Sequence, residues 1–296
     1  MVNETDARLS EEAPSFFAPR RKQLLLGRRA IVASTLSTVL IIGGLFAVFL
    51  LAPGGATVRH FFFNPHDMWQ SFVGDHRDAL SSVGLGLLTN IWVFLIAEVF
   101  VLTFGLAIAW TRMTKSPVLM PFRILAIIYS DIFRGIPVLL VFLLIGFGVP
   151  ALQISFISNQ SLAVYGCVSL ILTYSAYVAE VFRAGIYSVP HGQLLAARSL
   201  GLTNATTMRR VILPQAVRTV VPPLLNDFIS LQKDTALLSI LGVIEAVQAG
   251  TIYQDLRFNS SGLVVASLLF LAMTIPLTRF TDSLIARDRN RRLAST

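Results

Sequence analysis

Residues 84–110 read Gly-Leu-Gly-Leu-Leu-Thr-Asn-Ile-Trp-Val-Phe-Leu-Ile-Ala-Glu-Val-Phe-Val-Leu-Thr-Phe-Gly-Leu-Ala-Ile-Ala-Trp, with Glu98 as the one charged side chain. As a helix rising about 1.5 Å per residue, this run is about 40 Å long, more than a hydrocarbon core of roughly 30 Å requires. Five further apolar stretches accompany it, over residues 30–52, 120–148, 161–187, 216–249 and 262–285. Each is long enough to cross a bilayer, so the pattern predicts an all-α polytopic membrane protein with about six transmembrane helices.

Composition agrees. Of the 296 residues, 54% are hydrophobic and 14% charged, where soluble chains carry about 25% charged. The formal charge of +8 would raise nucleic acid as a partner in a soluble protein, but here the basic residues sit in short loops between apolar runs, where membrane lipid is the expected neighbour. The lone Cys167 lies in an apolar segment and reads as a small packed hydrophobe.

The first stretch follows Arg20, Arg21, Lys22, Arg28 and Arg29 as a signal peptide would, yet its 23 residues exceed the usual apolar region of roughly 7 to 15. It reads as an uncleaved anchor. With the N-terminus cytoplasmic, the inner side holds six Lys or Arg before the first span, three in 111–123, five in 183–218 and five in 279–296. The outer side then holds Arg59, Arg77 and Arg257 alone, while Arg134 and Lys233 fall within apolar stretches. This bias predicts both termini inside and six crossings. The expected organisation is a cytoplasmic tail at 1–29, an anchor at 30–52, an extracytoplasmic segment at 53–83, a transmembrane domain at 84–285 and a cytoplasmic tail at 286–296.

Two stretches carry interruptions. Residues 216–249 hold Pro222 and Pro223, then Lys233 and Asp234. We expect a span over 216–233, a break near Lys233, and a shorter helix over 236–249. In the third stretch, Arg134-Gly135-Ile136-Pro137 combines a helix-weakening Gly with a Pro that lacks a backbone donor. Broken helices at membrane depth are tolerated where they line a cavity, so both breaks are candidate pathway positions.

The 188–215 connection has helical organisation. Pro190 suits a first turn, Leu194, Leu195, Ala197, Arg198 and Leu202 recur at three and four, and Gly201 suits a stop. Asn204 then caps a second helix with Met208, Val211 and Ile212, up to Pro214. Ala196 and Ala197 leave room for another surface, and Leu194 and Leu195 offer an apolar anchor. An amphipathic helix resting on headgroups explains the spacing equally well.

The residues themselves narrow this. Gly192-Gln193-Leu194-Leu195-Ala196-Ala197-Arg198-Ser199-Leu200-Gly201-Leu202, then Val211-Ile212-Leu213-Pro214, resembles the cytoplasmic EAA loop of ABC importer permeases. Ala196, Ala197, Gly201, Val211, Leu213 and Pro214 match the family spacing, and Leu195 stands where the family has glutamate. Three further segments, Ser175 to Ile186, Phe133 to Pro137 and Leu225 to Leu237, are similar to signatures of the polar amino acid branch, which carries histidine, glutamine, glutamate or arginine. The resemblance covers about 84–285 and implies the fold of a type I ABC importer transmembrane domain, with the loop as a coupling helix. It further implies an ATP-binding subunit dimer that binds ATP and Mg, a second permease subunit (same or homologous), an extracytoplasmic substrate-binding protein and an amino acid substrate. The implied coupling residues are Gly192, Leu194, Leu195, Ala196, Ala197, Arg198, Gly201, Leu202, Leu213 and Pro214.

Glu98, Asp131, Arg134, Glu180, Asp227, Lys233, Asp234 and Glu245 lie in or near apolar stretches. Ionisable groups there cost a few kcal/mol on insertion scales, so each needs a polar partner, a cavity or an interfacial position. Both a ligand site and structural ion pairs meet that need. Asp131 and Arg134 are spaced to pair on one helix face, as are Glu180 and Arg183, and of the adjacent Lys233 and Asp234 at least one needs an outside partner. The candidate pathway or gate residues are Glu98, Asp131, Arg134, Pro137, Glu180, Asn226, Lys233 and Asp234.

No Gly-Lys dipeptide occurs, so the chain has no G-x-x-x-x-G-K-[ST] phosphate loop and the energy source is expected in another chain. There is no H-E-x-x-H pair and no G-x-S-x-G elbow, and His60, His66, His76 and His191 are expected in loops without metal-ligand grouping. No catalytic residue, metal or cofactor is assigned to the chain. An ion-coupled secondary amino acid transporter, with the intramembrane carboxylates as ion sites, is the alternative, and a scaffold without transport a third.

Overall fold

The computed structural model describes residues 28–75, 81–114 and 116–294. The expected tail at 1–29 therefore lies outside the described residues except for its last two, as do His76, Arg77 and Lys115. Two compact units divide the chain, Met1–Thr57 and Val58–Thr296. In the first, helix α1 (Arg28–Leu51) has none of its apolar window over Val32–Leu51 buried. Ser37 and Thr38 donate their hydroxyls back to the Ser34 carbonyl at 2.9 and 2.8 Å, so even its polar side chains satisfy themselves on their own backbone.

Short helices α2 (Gly55–Phe62) and α3 (Pro65–Val73) follow; Asn64 caps α3 and Pro65 opens its first turn. They place His60 and His66 in helices and not in loops, while His191 opens a later one. Helix α4 (Val83–Met113) runs three residues past the expected end. A 3₁₀ turn at Pro117–Leu119 leads to α5 (Met120–Gly135) and α6 (Val138–Ala151), which meet at 107° across Ile136 and Pro137. This is the interruption the sequence predicts, and Pro137 stands at the N-cap of α6. After the one-turn helix α7 (Ser155–Ser158) comes α8 (Leu162–Tyr187), the central helix, packed on α4, α5 and α6.

The loop helices α9 (His191–Ser199) and α10 (Asn204–Thr207) and a π-helical turn at Met208–Ile212 lead into α11 (Leu213–Asp234), which also packs on α8. Helix α11 passes through Pro222, Pro223 and Lys233 without stopping and tightens into a 3₁₀ segment, Thr235–Leu241. The break expected near Lys233 falls at 242–245 instead, and the expected 236–249 helix is replaced by this segment and α12 (Ala246–Arg257), set at 43°. Helix α13 (Ser261–Ala294) runs past Pro276 well into the expected 286–296 tail. Among the described residues, four helices are individually long and apolar enough to span, and each bent pair counted as one span raises the number to six. No strand occurs among the described residues.

The 3₁₀ segment has a packing reason. At three residues per turn, side chains three apart eclipse, so Thr235, Leu238 and Leu241 form a single ridge, all buried. Glycines receive that ridge: a Cβ on Gly166 of α8 would stand 2.2 Å from Leu238, and one on Gly146 of α6 would stand 2.3 Å from Leu241. An α-helix would splay the three side chains and miss one notch. The segment ends at Gly242, whose φ of +80° lies in the left-handed region. Gly242 N–H donates to Ser239 O and Val243 N–H to Leu238 O, the paired bonds of a Schellman stop.

Beyond the stop, fully buried Glu245 caps α12, accepting from Val247 N–H at 3.0 Å and Gln248 N–H at 2.9 Å. Asn90 of α4, also fully buried, donates to Glu245 Oε2 at 2.9 Å and to Thr235 Oγ1 at 3.1 Å, and accepts from Ala246 N–H. Gly86 lets the two backbones approach, since a Cβ there would lie 2.5 Å from the Glu245 carbonyl carbon. Gly86→Ala is therefore expected to cost about 1 to 3 kcal/mol through overpacking. Gly148→Ala, which meets nothing within 4 Å, should hold or raise stability. Thermal unfolding of both variants in the same detergent checks the contrast; equal midpoints would remove the close approach as a constraint.

Candidate functional site

Local chemistry builds the 188–215 loop. Helix α9 stops at Gly201 (φ +71°), where Leu202 N–H donates to Ala197 O at 3.1 Å and Gly201 N–H to Arg198 O at 2.9 Å, a second Schellman stop. Thr203, not Asn204, caps the following helix, its hydroxyl accepting from Thr206 N–H; Asn204 is the first helical residue. Pro214 stands in the first turn of α11, directly after the π-helical turn at Met208–Ile212. Gln215 of α11 donates to Gln193 of α9 and to Val211 O, which fastens the two ends of the loop.

The loop residues divide by burial. Ala197 is 4% exposed and packs within the chain, with Leu194 and Leu202 half-buried beside it. The expectation that Ala197 leaves room for another surface is thus corrected: Ala197→Asp would bury a carboxylate inside the loop itself. Gly192, Leu195, Ala196 and Arg198 are exposed on α9, as are Leu213 and Pro214 at the start of α11. Leu200, absent from the sequence-derived set, is 79% exposed at the turn. Nothing in its spacing marks it, because it sits at the stop of α9 and off the three-and-four stripe.

A carboxylate shared by three arginines lies between α4, α5 and α8. Glu180 accepts from Arg112 Nη1 at 3.0 Å and Arg183 Nε at 3.1 Å, and Arg134 Nη1 stands at 3.5 Å. The Glu180 and Arg183 pairing agrees with the sequence spacing, but the expected Asp131 and Arg134 pair does not form. All three ion pairs found among the described residues converge on Glu180, and Asp131 is exposed. One half-buried acceptor with several oxygen lone pairs serves Arg134 better than an exposed neighbour on α5. Arg112, the least exposed arginine of the set at 11%, was missed because an arginine closing an apolar run reads as an orientation signal.

Helix α11 separates its charges. Asp234 turns inward and accepts from the Tyr174 hydroxyl at 2.8 Å, the outside partner that the Lys233 and Asp234 pair requires. Lys233 is exposed, and so are Asn226 and Thr219, seven and fourteen residues earlier. Seven residues nearly complete two helical turns, so the three line one face. Lys233 borders a cavity of about 510 Å³ that Thr274 of α13 also lines, and Thr274 donates to buried Gln232 of α11 at 2.9 Å. Glu98 belongs to neither group: it lies within electrostatic reach of Asp227, near where Phe94 and Phe228 rings pack edge to face at 4.6 Å. Pro137 is exposed at the elbow of α5 and α6. Five of the eight candidate pathway residues therefore fall in three places, Arg134 with Glu180, Asn226 with Lys233, and Glu98 by Asp227, while Asp131, Pro137 and Asp234 stand apart from them.

A helical membrane domain with two broken spans, a polar face on a spanning helix and a folded loop feeding directly into that helix defines a transport subunit. The chain belongs to the family of binding-protein-dependent transport system inner membrane components, whose model matches residues 121–290. It is 40% identical over 192 residues to the probable glutamine ABC transporter permease protein GlnM of Bacillus subtilis (strain 168), covering 63% of this chain and 82% of that protein. It is 37% identical over 190 residues to the probable amino-acid permease protein YxeN of the same organism, with the same coverage. Among solved structures, an amino acid ABC transporter crystallised with histidines aligns at TM-score 0.64 and 31% identity, over 69% of this chain and 93% of that one. The inward-facing MetNI methionine ABC transporter shares the fold, at TM-score 0.58 and 17% identity over 76% and 99% of the two chains. The chain is a multi-pass permease subunit of the bacterial inner membrane, and ATP hydrolysis is done by a separate subunit. These relatives lend the ion-coupled alternative no support.

The arginine cluster makes a quantitative expectation. Glu180→Gln leaves three cations facing one another without their counter-charge, and Arg112→Met removes the most enclosed partner. Each single change should lower stability by about 1 kcal/mol or more, and the double variant should cost clearly less than their sum because the groups share one network. Thermal unfolding of the four proteins in a double-mutant cycle measures this, and strict additivity would dissolve the cluster.

Proposed function

We propose that this chain forms the translocation pathway for polar amino acids, of the glutamine, glutamate, histidine and arginine class, and is driven by an ATPase docked on the 188–215 loop. The carrying observation is that one continuous helix joins the two sites: α11 begins at the loop and presents Thr219, Asn226 and Lys233 on a single exposed face within a spanning segment. Exposed polar side chains at that depth face water or protein and not lipid. The expected neighbour of that face is a second permease subunit, either this chain or a homologue, with the substrate path between them. Lys233 supplies a cation for a substrate carboxylate, and the 510 Å³ cavity beside it has room for a small amino acid.

On this reading, the loop lies on the cytoplasmic side with both termini, as the basic-residue bias indicates. Leu195, Leu200, Ala196, Gly192 and Arg198 meet an ATP-binding subunit of a dimer that holds ATP and Mg, while Ala197, Leu194, Leu202 and the Gly201 stop keep the helix in shape. Leu195 makes that contact apolar where the related loops carry a glutamate. An extracytoplasmic binding protein delivers substrate to the opposite face. Closure of the ATPase moves α9, the Gln193 and Gln215 link carries the motion into α11, and access to Lys233 alternates.

Proteoliposomes holding the assembled transporter, supplied with the external binding protein, test this by uptake of the four labelled amino acids. Lys233→Met is expected to cut uptake at least about tenfold, the cost of one lost charge-assisted bond, while the ATPase subunit stays bound. Leu195→Asp should weaken ATPase retention. Gly201→Val should uncouple hydrolysis from uptake, and Gly201→Asn, which tolerates the left-handed region, should not. Normal uptake by Lys233→Met would refute the pathway assignment, and normal coupling by both Leu195→Asp and Gly201→Val the docking assignment.

A further inference from the structure

Helices α2 and α3 are 8 and 9 residues long, about 12 to 14 Å, so neither can cross a bilayer. On α3 the polar Asp67 and Gln70 face inward, and α2 is held there by its backbone carbonyls. Asp67 accepts from the Tyr253 hydroxyl of α12 at 2.6 Å and from Asn259 Nδ2 at 3.0 Å, and Asn259 also donates to His60 O at 2.9 Å. Ser260 N–H donates to Phe61 O at 2.8 Å, and Asn64 N–H reaches Ser261 Oγ at the start of α13. The segment from 58 to 73 is thereby fastened to the end of α12 and the beginning of α13.

Among the described residues the opposite side is apolar and exposed: Trp69 is 68% exposed, Val73 51%, Phe63 47% and Phe62 43%. What covers it follows from its continuity with α4. The Trp69 ring packs on Phe72 at 6.0 Å, Ser82 Oγ donates to Phe72 O at 2.6 Å, and the Phe72 ring would come within 3.0 Å of a Cβ on Gly84. From there, Leu85, Leu88, Trp92 and Val99 carry an exposed apolar stripe down α4 at helical spacing. In a multi-pass membrane protein such a stripe on a spanning helix meets acyl chains. The apolar side of α3 thus extends a lipid-facing surface past the end of its span, where aromatic side chains suit the headgroup boundary.

We propose that residues 58–73 form a membrane-interface cap, lying in the headgroup layer with Trp69 at the lipid boundary and tethering α12 and α13 to that layer through Asp67. The occupant of the apolar face is the bilayer surface itself, and a soluble protein docked there is the competing outcome.

The test uses the full chain in lipid nanodiscs. Trp92→Phe with Trp110→Phe leaves Trp69 as the sole indole of the three in the sequence. Its emission should be blue-shifted, and lipid brominated near the ester end should quench it more than lipid brominated near the methyl end. Emission typical of water, quenched by acrylamide and indifferent to brominated lipid, would overturn the proposal and favour the soluble partner. A nitroxide on Trp69→Cys, with Cys167→Ser removing the one native thiol, gives an independent reading that keeps the other tryptophans. Greater collision with oxygen than with an aqueous nickel chelate supports the cap, and the reverse order refutes it.

Discussion

The arrangement of the transmembrane domain depends on the hydrogen-bond cluster that joins Asn90 to Glu245, Thr235 and Ala246. An ionised carboxylate withdrawn from water costs several kcal/mol unless its oxygens are met by donors. Glu245 is fully buried and receives three, two from the first turn of α12 and one from the Asn90 amide. Because those donors exist only when the chain has already stopped and restarted, the bonds fix where the fifth apolar stretch, 216–249, breaks. They also pin that break to α4, on a side where Gly86 lets the backbones meet.

The rest of the packing is arranged around this fixed point. With α12 held, the chain before it must end its helix early, and the ridge of Thr235, Leu238 and Leu241 seats in the glycine notches of α8 and α6. That seating sets the rotation of α11 above it. The rotation turns Asp234 toward Tyr174 and leaves Lys233 outside. Near the loop the constraints are electrostatic, with Glu180 drawing arginines from α4, α5 and α8 to one place. An apolar anchor in its N-terminal half and an ionic one near the loop give α8 two different kinds of contact along its length.

Much of this was legible in the sequence, and the reasons for the exceptions are physical. Span length and hydropathy located the apolar stretches, because burial in lipid leaves a compositional mark on every residue of a span. The elbow at Pro137 was legible because a missing donor acts locally. The stop at Gly242 was not, since Lys233 and Asp234 look like stronger interruptions than one glycine; charges are tolerated in a helix that offers them a tyrosine or a cavity, and the glycine acts through its left-handed φ. In the loop, spacing gave the Gly201 stop but not the inward side, which Ala197 takes. Arg112 and Asn90 carried no pattern, since a network assembled from three or four helices has no sequence period.

Pro222 and Pro223 lie roughly midway along α11. Each removes one rung of the backbone ladder, so the helix behaves as a stiff rod with a compliant joint. The joint divides α11 into a segment that begins at the loop and a segment that bears Asn226 and Lys233. The far end is seated by its 3₁₀ ridge in the glycine notches of α8 and α6. On the proposed docking, a displacement of the loop would therefore be read at the joint as a change of angle between the two segments.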